Sequence, residues 1–134
     1  AFTELYADIE LTIEACSTSS HPDLPLLGER LEEGLDSLRE AATWMSEADP
    51  ADVLAGATPF LTLAGEVIGG WMLCIGAVAA RRRQKDKLGD PVFAAQRIAL
   101  AGFYCEAVLT LAHARVDDIT MGVEMIQDVG FGVE

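Results

Sequence analysis

Apolar residues recur at intervals of three and four along most of the chain, which is the spacing of one face of an α-helix. In the segment after Pro22 these positions are Leu24, Leu27, Leu31, Leu35, Leu38, Ala42 and Met45. After Pro91 the same spacing is kept by Phe93, Gln96, Leu100, Phe103, Ala107, Leu111 and Ala114. Both patterns predict amphipathic helices with one buried face. No stretch of any length alternates with the period of a β-strand.

Proline, glycine and polar residues divide the chain into four such segments. The dividers are residues 16–22, Asp49-Pro50 and residues 88–91. Asp90 before Pro91 has the arrangement of an N-cap followed by proline at the first helical position, and Asp49 before Pro50 repeats it. The predicted helices are roughly residues 2–17, 23–48, 51–88 and 91–127, with breaks near Pro59 and Arg115. Short links between them predict an all-α, antiparallel up-and-down four-helix bundle.

The two ends of the chain follow the same periodicity. The first segment has Leu5, Ile9, Thr12 and Ile13 on one face. Near the end, a stripe of Ile119, Val123 and Ile126 extends the last helix or forms a short helix after a bend. The whole chain, residues 1–134, is predicted to be a single helical domain.

The third segment differs because it is apolar on every side. Between Leu54 and Ala80 the only charged residue is Glu66. A helix of this composition is either the centre of a bundle or a membrane span. An acid within the run and a proline at Pro59 disfavour the span. The amphipathic helices also need a shared apolar partner, so we predict that they cover the third helix, with a membrane-associated protein as the alternative.

Glycines are unusually frequent in this third segment. A glycine inside a helix costs roughly 1 kcal/mol relative to alanine, so several of them require a packing reason. A close crossing with a neighbouring helix is such a reason. We therefore predict structural crossing positions at Gly65, Gly69 and Gly70, with the Trp71 ring filling the space beside the glycine pair.

Charge excludes one large class of function. The 134 residues include 22 acidic and 9 basic side chains, for a formal net charge of −13. Such a chain would be repelled by a polyanion, so a general nucleic-acid binder is excluded. Five of the bases cluster at the end of the third helix, where they favour the helix dipole. They form a candidate docking patch made of Arg81, Arg82, Arg83, Lys85 and Lys87.

The residues offer little catalytic chemistry. Cys16, Cys74 and Cys105 are far apart in the sequence and odd in number, so neither a disulfide framework nor a zinc site is predicted. Free cysteines fit a reducing compartment, and we expect a cytoplasmic protein. No metal, dinucleotide, phosphate-loop or nucleophile-elbow motif occurs. We predict no catalytic, cofactor-binding or metal residue in this chain. Glu66 and Glu106 are expected either at a helix edge or paired with Arg97 or Arg115 of another helix, and the large aromatic residues are expected in the core.

Three strings of residues carry a resemblance to a known family. They are residues 49–61 (Asp-Pro-Ala-Asp-Val-Leu-Ala-Gly-Ala-Thr-Pro-Phe-Leu), residues 69–73 (Gly-Gly-Trp-Met-Leu) with the alanines of 77–80, and residues 93–106, which end in Phe-Tyr-Cys-Glu. In this order they resemble the carboxy-terminal domain of the large bacterial acyl-CoA dehydrogenases, often called the acetyl-CoA dehydrogenase C-terminal-like domain. The resemblance covers about residues 24–129.

The resemblance implies a function for a larger parent enzyme. Enzymes of this family bind FAD and oxidise an acyl-CoA to the 2,3-enoyl-CoA in fatty acid metabolism, with base and flavin contacts on preceding domains. It therefore implies that this chain is a non-catalytic C-terminal fragment that packs on the dehydrogenase body and contributes to subunit contact in a homodimer or higher oligomer. The alternative is a stand-alone helical interaction module that docks through its acidic second helix or the basic cluster.

Overall fold

The computed structural model describes residues 2–121, and within them the chain is helical with no strand. The elements are α1 (Phe2–Ser17), α2 (Leu24–Glu47), α3 (Pro50–Lys85), α4 (Pro91–Ala107), a 3₁₀ turn (Leu109–Leu111) and α5 (Ala112–Thr120). The all-α class is therefore confirmed, and the fourth predicted helix corresponds to α4 and α5 together. The predicted positions Val123 and Ile126 lie outside the described residues.

Helix starts follow the predicted proline signals. Pro50 and Pro91 stand at the first turns of α3 and α4. The Asp90 side chain accepts a hydrogen bond from the Val92 backbone N–H at 2.9 Å, which satisfies one of the free donors at the start of α4. The expected break at Pro59 is absent, because α3 continues through this residue for 36 residues in total. Gly56 and Leu63, which lie on either side of Pro59 in the sequence, are both buried.

The second helix provides the largest share of the core. Its leucines at the predicted spacing are all buried: Leu24, Leu27, Leu31, Leu35 and Leu38. Toward its end, Ala41 is buried instead of the predicted Ala42. This face of α2 contacts α1, α3, α4 and α5. The amphipathic pattern of the second segment thus identified the main buried face of the fold.

The third helix is not enclosed as predicted. It contacts all the other helices, but it buries one stripe, formed by Gly56, Leu63, Val67, Gly70, Cys74, Ala77 and Ala80. On the opposite side Leu54, Leu61 and Met72 are 81%, 69% and 63% exposed. The prediction of a helix covered all round is wrong for the described residues. Its neighbours pack along only part of its circumference and leave an apolar face uncovered.

The fourth helix is turned about its axis relative to the prediction. The predicted inner residues Phe93, Leu100 and Phe103 are 58%, 52% and 72% exposed. The buried positions are instead Ala94, Ile98, Ala101 and Cys105. Three of these four are small, which allows α4 to pack closely on its neighbours. The largest apolar side chains of α4 therefore face outward.

The break in the last predicted helix comes earlier than Arg115. It lies at the 3₁₀ turn, whose first residue, Leu109, is buried. The Leu109 side chain reaches toward two glycines: a Cβ at Gly70 would lie 2.8 Å from it, and a Cβ at Gly34 would lie 3.4 Å from it. The turn thus inserts one leucine between α2 and α3 and restarts the chain as α5.

An ion pair fastens α5 to α3. Arg115 donates to both Glu66 oxygens, at 2.7 Å to Oε1 and 3.2 Å to Oε2. The hydrogen bond to Glu66 raises the pKa of Arg115 above its ordinary value. The predicted partner of Glu66 is confirmed, whereas Glu106 pairs with Arg30 of α2, at 3.0 Å. The acid within the apolar segment is therefore compensated on the side of α3 that faces α5.

Two stretches within residues 2–121 are long and apolar enough to cross a bilayer. They are Pro50–Lys85 and Pro91–Thr120, and about a third of the most apolar window of each is buried. Length and composition alone are weak support for a span, since the core helices of soluble proteins meet the same criterion. The exposed faces of α3 and α4 account for the low burial.

We expect the Glu66–Arg115 pair to be measurable by a double-mutant cycle with Glu66→Gln, Arg115→Met and the double variant. The pair is partly exposed, so its coupling free energy in urea unfolding should be about 0.5–1 kcal/mol and should fall in high salt. A coupling energy of zero, or one that does not change with salt, would contradict the ion pair.

Candidate docking surface

The three predicted crossing glycines have different surroundings. A Cβ at Gly65 would meet no atom within 4 Å, so no helix crosses there. A Cβ at Gly69 would lie 2.9 Å from the Tyr104 hydroxyl, and one at Gly70 would lie 2.8 Å from the Leu109 side chain. At these two positions α3 meets side chains of α4 and of the 3₁₀ turn. The prediction of a helix crossing at Gly65 is therefore wrong, because this position lies on the open side of α3.

Trp71 lies on a different side of α3 from the glycine pair. Its ring is partly buried, and its indole N–H donates to the Thr12 hydroxyl of α1 at 2.9 Å. The ring therefore packs toward α1, whereas Gly69 faces α4 and Gly70 faces the 3₁₀ turn. Consecutive residues of a helix point about 100° apart, which is why neighbours in sequence serve different contacts.

Close backbone approaches occur at two glycines that the sequence reasoning missed. A Cβ at Gly28 would lie 3.0 Å from the Ile13 carbonyl oxygen of α1, and one at Gly56 would lie 3.1 Å from the Ile119 carbonyl oxygen of α5. Gly28 follows Leu27 within the leucine pattern of α2. A glycine on a predicted core face was the signal that could have identified this crossing.

A tyrosine and an arginine of α4 reach across to α3. The Tyr104 hydroxyl donates to the Glu66 backbone carbonyl at 2.8 Å, and burial raises the pKa of Tyr104, with a further contribution from the Glu66 charge. The Arg97 guanidinium lies against α3 at Gly76, where a Cβ would be 2.5 Å from Nη2. It also lies 5.7 Å from the centroid of the Phe93 ring, in cation–π geometry.

An apolar cavity of about 350 Å³ opens between the end of α3 and the start of α4. Its lining includes Gly76, Ala79, Ala80, Phe93 and the carboxylate residue Asp90. Arg83 and Arg97 also line it. Among residues 2–121 neither guanidinium has a carboxylate within 4 Å. The cavity thus combines apolar surface with two cationic groups that have no ionic partner in the described part of the chain.

The predicted basic patch does not form one surface. Arg81, Arg82 and Lys85 line a cavity on the α1 side, whereas Arg83 lines the cavity next to α4. Arg81 donates to the Ser20 hydroxyl at 3.3 Å, and its Nε is buried without a hydrogen-bond partner among the described residues. Lys87 lies in the following turn, at φ 55°. The helix turns these side chains to different sides, so the cluster is divided between two faces.

Three thiols meet in the core from three helices. Cys74 of α3 lies with its Sγ 3.9 Å from Sγ of Cys105, and Cys16 of α1 is a further neighbour. All three are fully buried. Hydrogen bonding with Cys105 and Cys16, together with burial, raises the pKa of Cys74 well above its ordinary value. The Cys74 thiol is therefore protonated at neutral pH, which makes it a packing group and not a nucleophile.

The main candidate for function is an apolar surface and not a chemical site. In residues 2–121 no group of His, Cys, Asp and Glu side chains has a metal-binding arrangement. The outer sides of α3 and α4 together present six large, exposed apolar side chains, which we call the α3–α4 face: Leu61, Met72, Phe93, Leu100, Phe103 and, at its border with α1, Ile75. Exposed apolar side chains grouped on neighbouring helices are typical of interaction sites.

Comparison with known proteins identifies the family. The family model described as "Acetyl-CoA dehydrogenase C-terminal like" matches residues 5–129. The chain belongs to this family. The resemblance in the third and fourth segments is thereby confirmed, and the acetyl-CoA dehydrogenase C-terminal-like match extends beyond them to the first helix.

A curated relative of this C-terminal-like domain is the 3-methylmercaptopropionyl-CoA dehydrogenase of Ruegeria pomeroyi, a CoA dehydrogenase. It is 36% identical over 88 residues, which cover 63% of this chain and 14% of the relative. The match thus spans a small part of a much longer enzyme. No solved structure matches the chain significantly.

We predict that Gly70→Leu destabilises the chain by about 1–3 kcal/mol, because the new side chain would overlap buried Leu109. Gly65→Leu is the matched control on the same helix, where the space is open. It should be neutral or stabilise by about 0.5–1 kcal/mol through higher helix propensity. Urea unfolding followed by circular dichroism measures both, and equal midpoints for the two variants would refute the contact at Gly70.

We expect the buried thiols to resist a disulfide reagent such as DTNB in the native protein. All three should react quickly once the chain is unfolded in urea, because unfolding removes both burial and the raised pKa of Cys74. Release of thionitrobenzoate measures the reaction. Rapid labelling of one or more thiols without denaturant would contradict this arrangement.

Proposed function

We propose that this chain is the non-catalytic C-terminal helical domain of an FAD-dependent acyl-CoA dehydrogenase. The parent enzyme would oxidise an acyl-CoA to the 2,3-enoyl-CoA, an oxidoreductase reaction on a CH–CH donor, in the cytoplasm. Membership of the C-terminal-like family supports this proposal, as does a relative that is itself a CoA dehydrogenase. The substrate named for that relative is not carried over to this chain.

The observation that carries the proposal is the inverted α4 helix. Its small side chains face the core, while Phe93 and Phe103 face outward. A domain that works alone gains nothing from exposing its largest apolar side chains, whereas a domain of a larger enzyme buries them against its neighbour. We infer that this domain packs on the dehydrogenase body and contributes to contact between subunits in a homodimer or higher oligomer.

We assign FAD to the dehydrogenase body. The cavity between α3 and α4, about 350 Å³, lies at the small end of the size range for drug-sized ligands, and it opens to solvent. A dinucleotide such as FAD is larger than these ligands and would not be enclosed there. The residues of this cavity therefore do not fit FAD, and no step of the reaction is derived from them.

We further infer that the domain is a single antiparallel bundle with the glycine-rich α3 in contact with every other helix. The pairing of α3 and α4 supports this order: Gly76 lies beside Arg97, and Gly69, about two turns earlier, lies beside Tyr104 further along α4. Residue numbers thus fall along α3 as they rise along α4. Short links favour the same up-and-down arrangement.

The test compares the full-length parent enzyme with this chain by itself. The parent should purify with flavin absorbance and should reduce an electron acceptor when given an acyl-CoA. This chain alone should do neither, because the base and flavin contacts belong to the body. Flavin bound stoichiometrically to the isolated chain, or acyl-CoA oxidation by it, would overturn the proposal, as would a parent without dehydrogenase activity.

A further inference from the structure

We propose that the α3–α4 face docks onto an apolar, acid-rimmed surface of the dehydrogenase portion of the parent enzyme. This inference rests on the proposed function and specifies which side of the domain makes the contact. It concerns the six side chains of the α3–α4 face together with Arg97, which lies in the groove between the two helices.

Side chains of different size are distributed unevenly around α4. The buried residues are Ala94, Ile98, Ala101 and Cys105, and the exposed ones include Phe93, Leu100 and Phe103. Rotating the helix to bury the large residues is prevented by the close approach of α3. The outer side is therefore bulky although it gains nothing from the core of this chain, and it has the composition of a second packed face.

The exposed apolar area of the α3–α4 face is close to that of one side of a protein interface. The six side chains of the α3–α4 face expose on the order of 700 Å² of apolar surface, close to the roughly 800 Å² that each partner contributes to a standard protein interface. Isolated exposed leucines are common on protein surfaces, but a patch of this extent on two adjacent helices is not. The face is therefore comparable in area to one side of a standard interface.

The two sides of the domain differ in the charges that they carry. The carboxylates of α1 and α2 keep the other side of the domain hydrated: Glu4, Asp8, Glu10, Glu14, Glu29, Glu32, Glu33, Asp36, Glu40 and Glu47. On the α3–α4 side the cavity is lined by Arg83 and Arg97, and by Asp90, whose carboxylate caps the start of α4. Within the described residues neither arginine has a carboxylate within 4 Å. A partner with acids around an apolar patch would complement them, whereas a second copy of this face would oppose arginine to arginine.

A large part of the parent enzyme would be available to cover the α3–α4 face. In the Ruegeria dehydrogenase the matched region is 14% of the length, so most of that enzyme lies outside it. A domain that small relative to its enzyme has a large neighbour at high effective concentration. The dehydrogenase portion is therefore the occupant that the proposal commits to.

The test uses a matched pair of leucine substitutions in this chain. Leu100→Glu places a carboxylate on the α3–α4 face, and Leu26→Glu places one on the outer side of α2; the two leucines are 52% and 44% exposed. Circular dichroism and thermal melting first establish that both variants fold like the parent sequence. Calorimetry then measures their binding to the separately produced dehydrogenase portion of the parent enzyme.

We expect Leu100→Glu to weaken binding at least tenfold and Leu26→Glu to leave it unchanged. Equal binding by Leu100→Glu and the unmodified chain would overturn the assignment of the face while leaving the proposed function intact. No binding by the unmodified chain, with no flavin enzyme as its parent, would instead refute the proposed function.

Two further outcomes would identify another occupant and overturn the proposal. One is a dimer of the unmodified chain in sedimentation experiments that Leu100→Glu dissociates, which would assign the face to a second copy. The other is binding of the unmodified chain, but not of Leu100→Glu, to phosphatidylcholine vesicles, which would assign it to a membrane. Arg97→Glu should weaken binding to the dehydrogenase portion, and an increase would contradict the acidic rim.

A second readout is the oxidation of Met72, which is 63% exposed in this chain. Peroxide should convert it to the sulfoxide several-fold more slowly in the full-length parent enzyme than in the isolated chain, because docking covers the thioether. Peptide mass spectrometry measures the rates. Equal rates in the two proteins would contradict the docked arrangement.

Discussion

The close packing of α4 on α3 is the constraint on which the rest of this structure depends. Small residues face each other across the contact, and side chains such as Arg97 and Tyr104 reach over glycines to close it. Leu109 of the 3₁₀ turn fills the space beside Gly70 in the same way. Both helices consequently present their larger apolar residues to the outside.

The polar and reactive groups in the interior of the domain have structural roles. Three ion pairs within residues 2–121 connect different helices: Glu66 with Arg115, Arg30 with Glu106 and Arg39 with Glu10. The thiols, which are the most reactive side chains in the core, are buried and the pKa of Cys74 is raised. The candidate for function is therefore a surface, the apolar α3–α4 face, which lies next to Arg97 on a domain of net negative charge.

A domain of this kind can serve an enzyme without sharing its active site. The family assignment connects the chain to acyl-CoA dehydrogenases, and its relative is several times longer than the matched region. Burial of the exposed face against a neighbouring domain would lower the free energy of both by removing apolar surface from water. It would also account for two helices that are apolar enough to resemble membrane spans.

The sequence by itself determined the helical type and the approximate limits of the first three helices and the start of the fourth, because proline, glycine and capping residues act locally. The leucine spacing of α2 also identified its buried face correctly, since only one side of that helix is apolar. The pairing of Glu66 with Arg115 was within reach for a related reason: an acid in an apolar segment needs a cation nearby.

Only the tertiary structure decided which sides of α3 and α4 face inward. Both helices are apolar around most of their circumference, so periodicity carries little information about orientation, and the larger residues were wrongly placed inside. Which side is buried depends on the distance between the two helices. Small residues on both helices set this distance together, so the pattern of one helix does not predict it. The same reason explains why Gly65 lies in open space while Gly28, in an ordinary amphipathic helix, marks a close crossing.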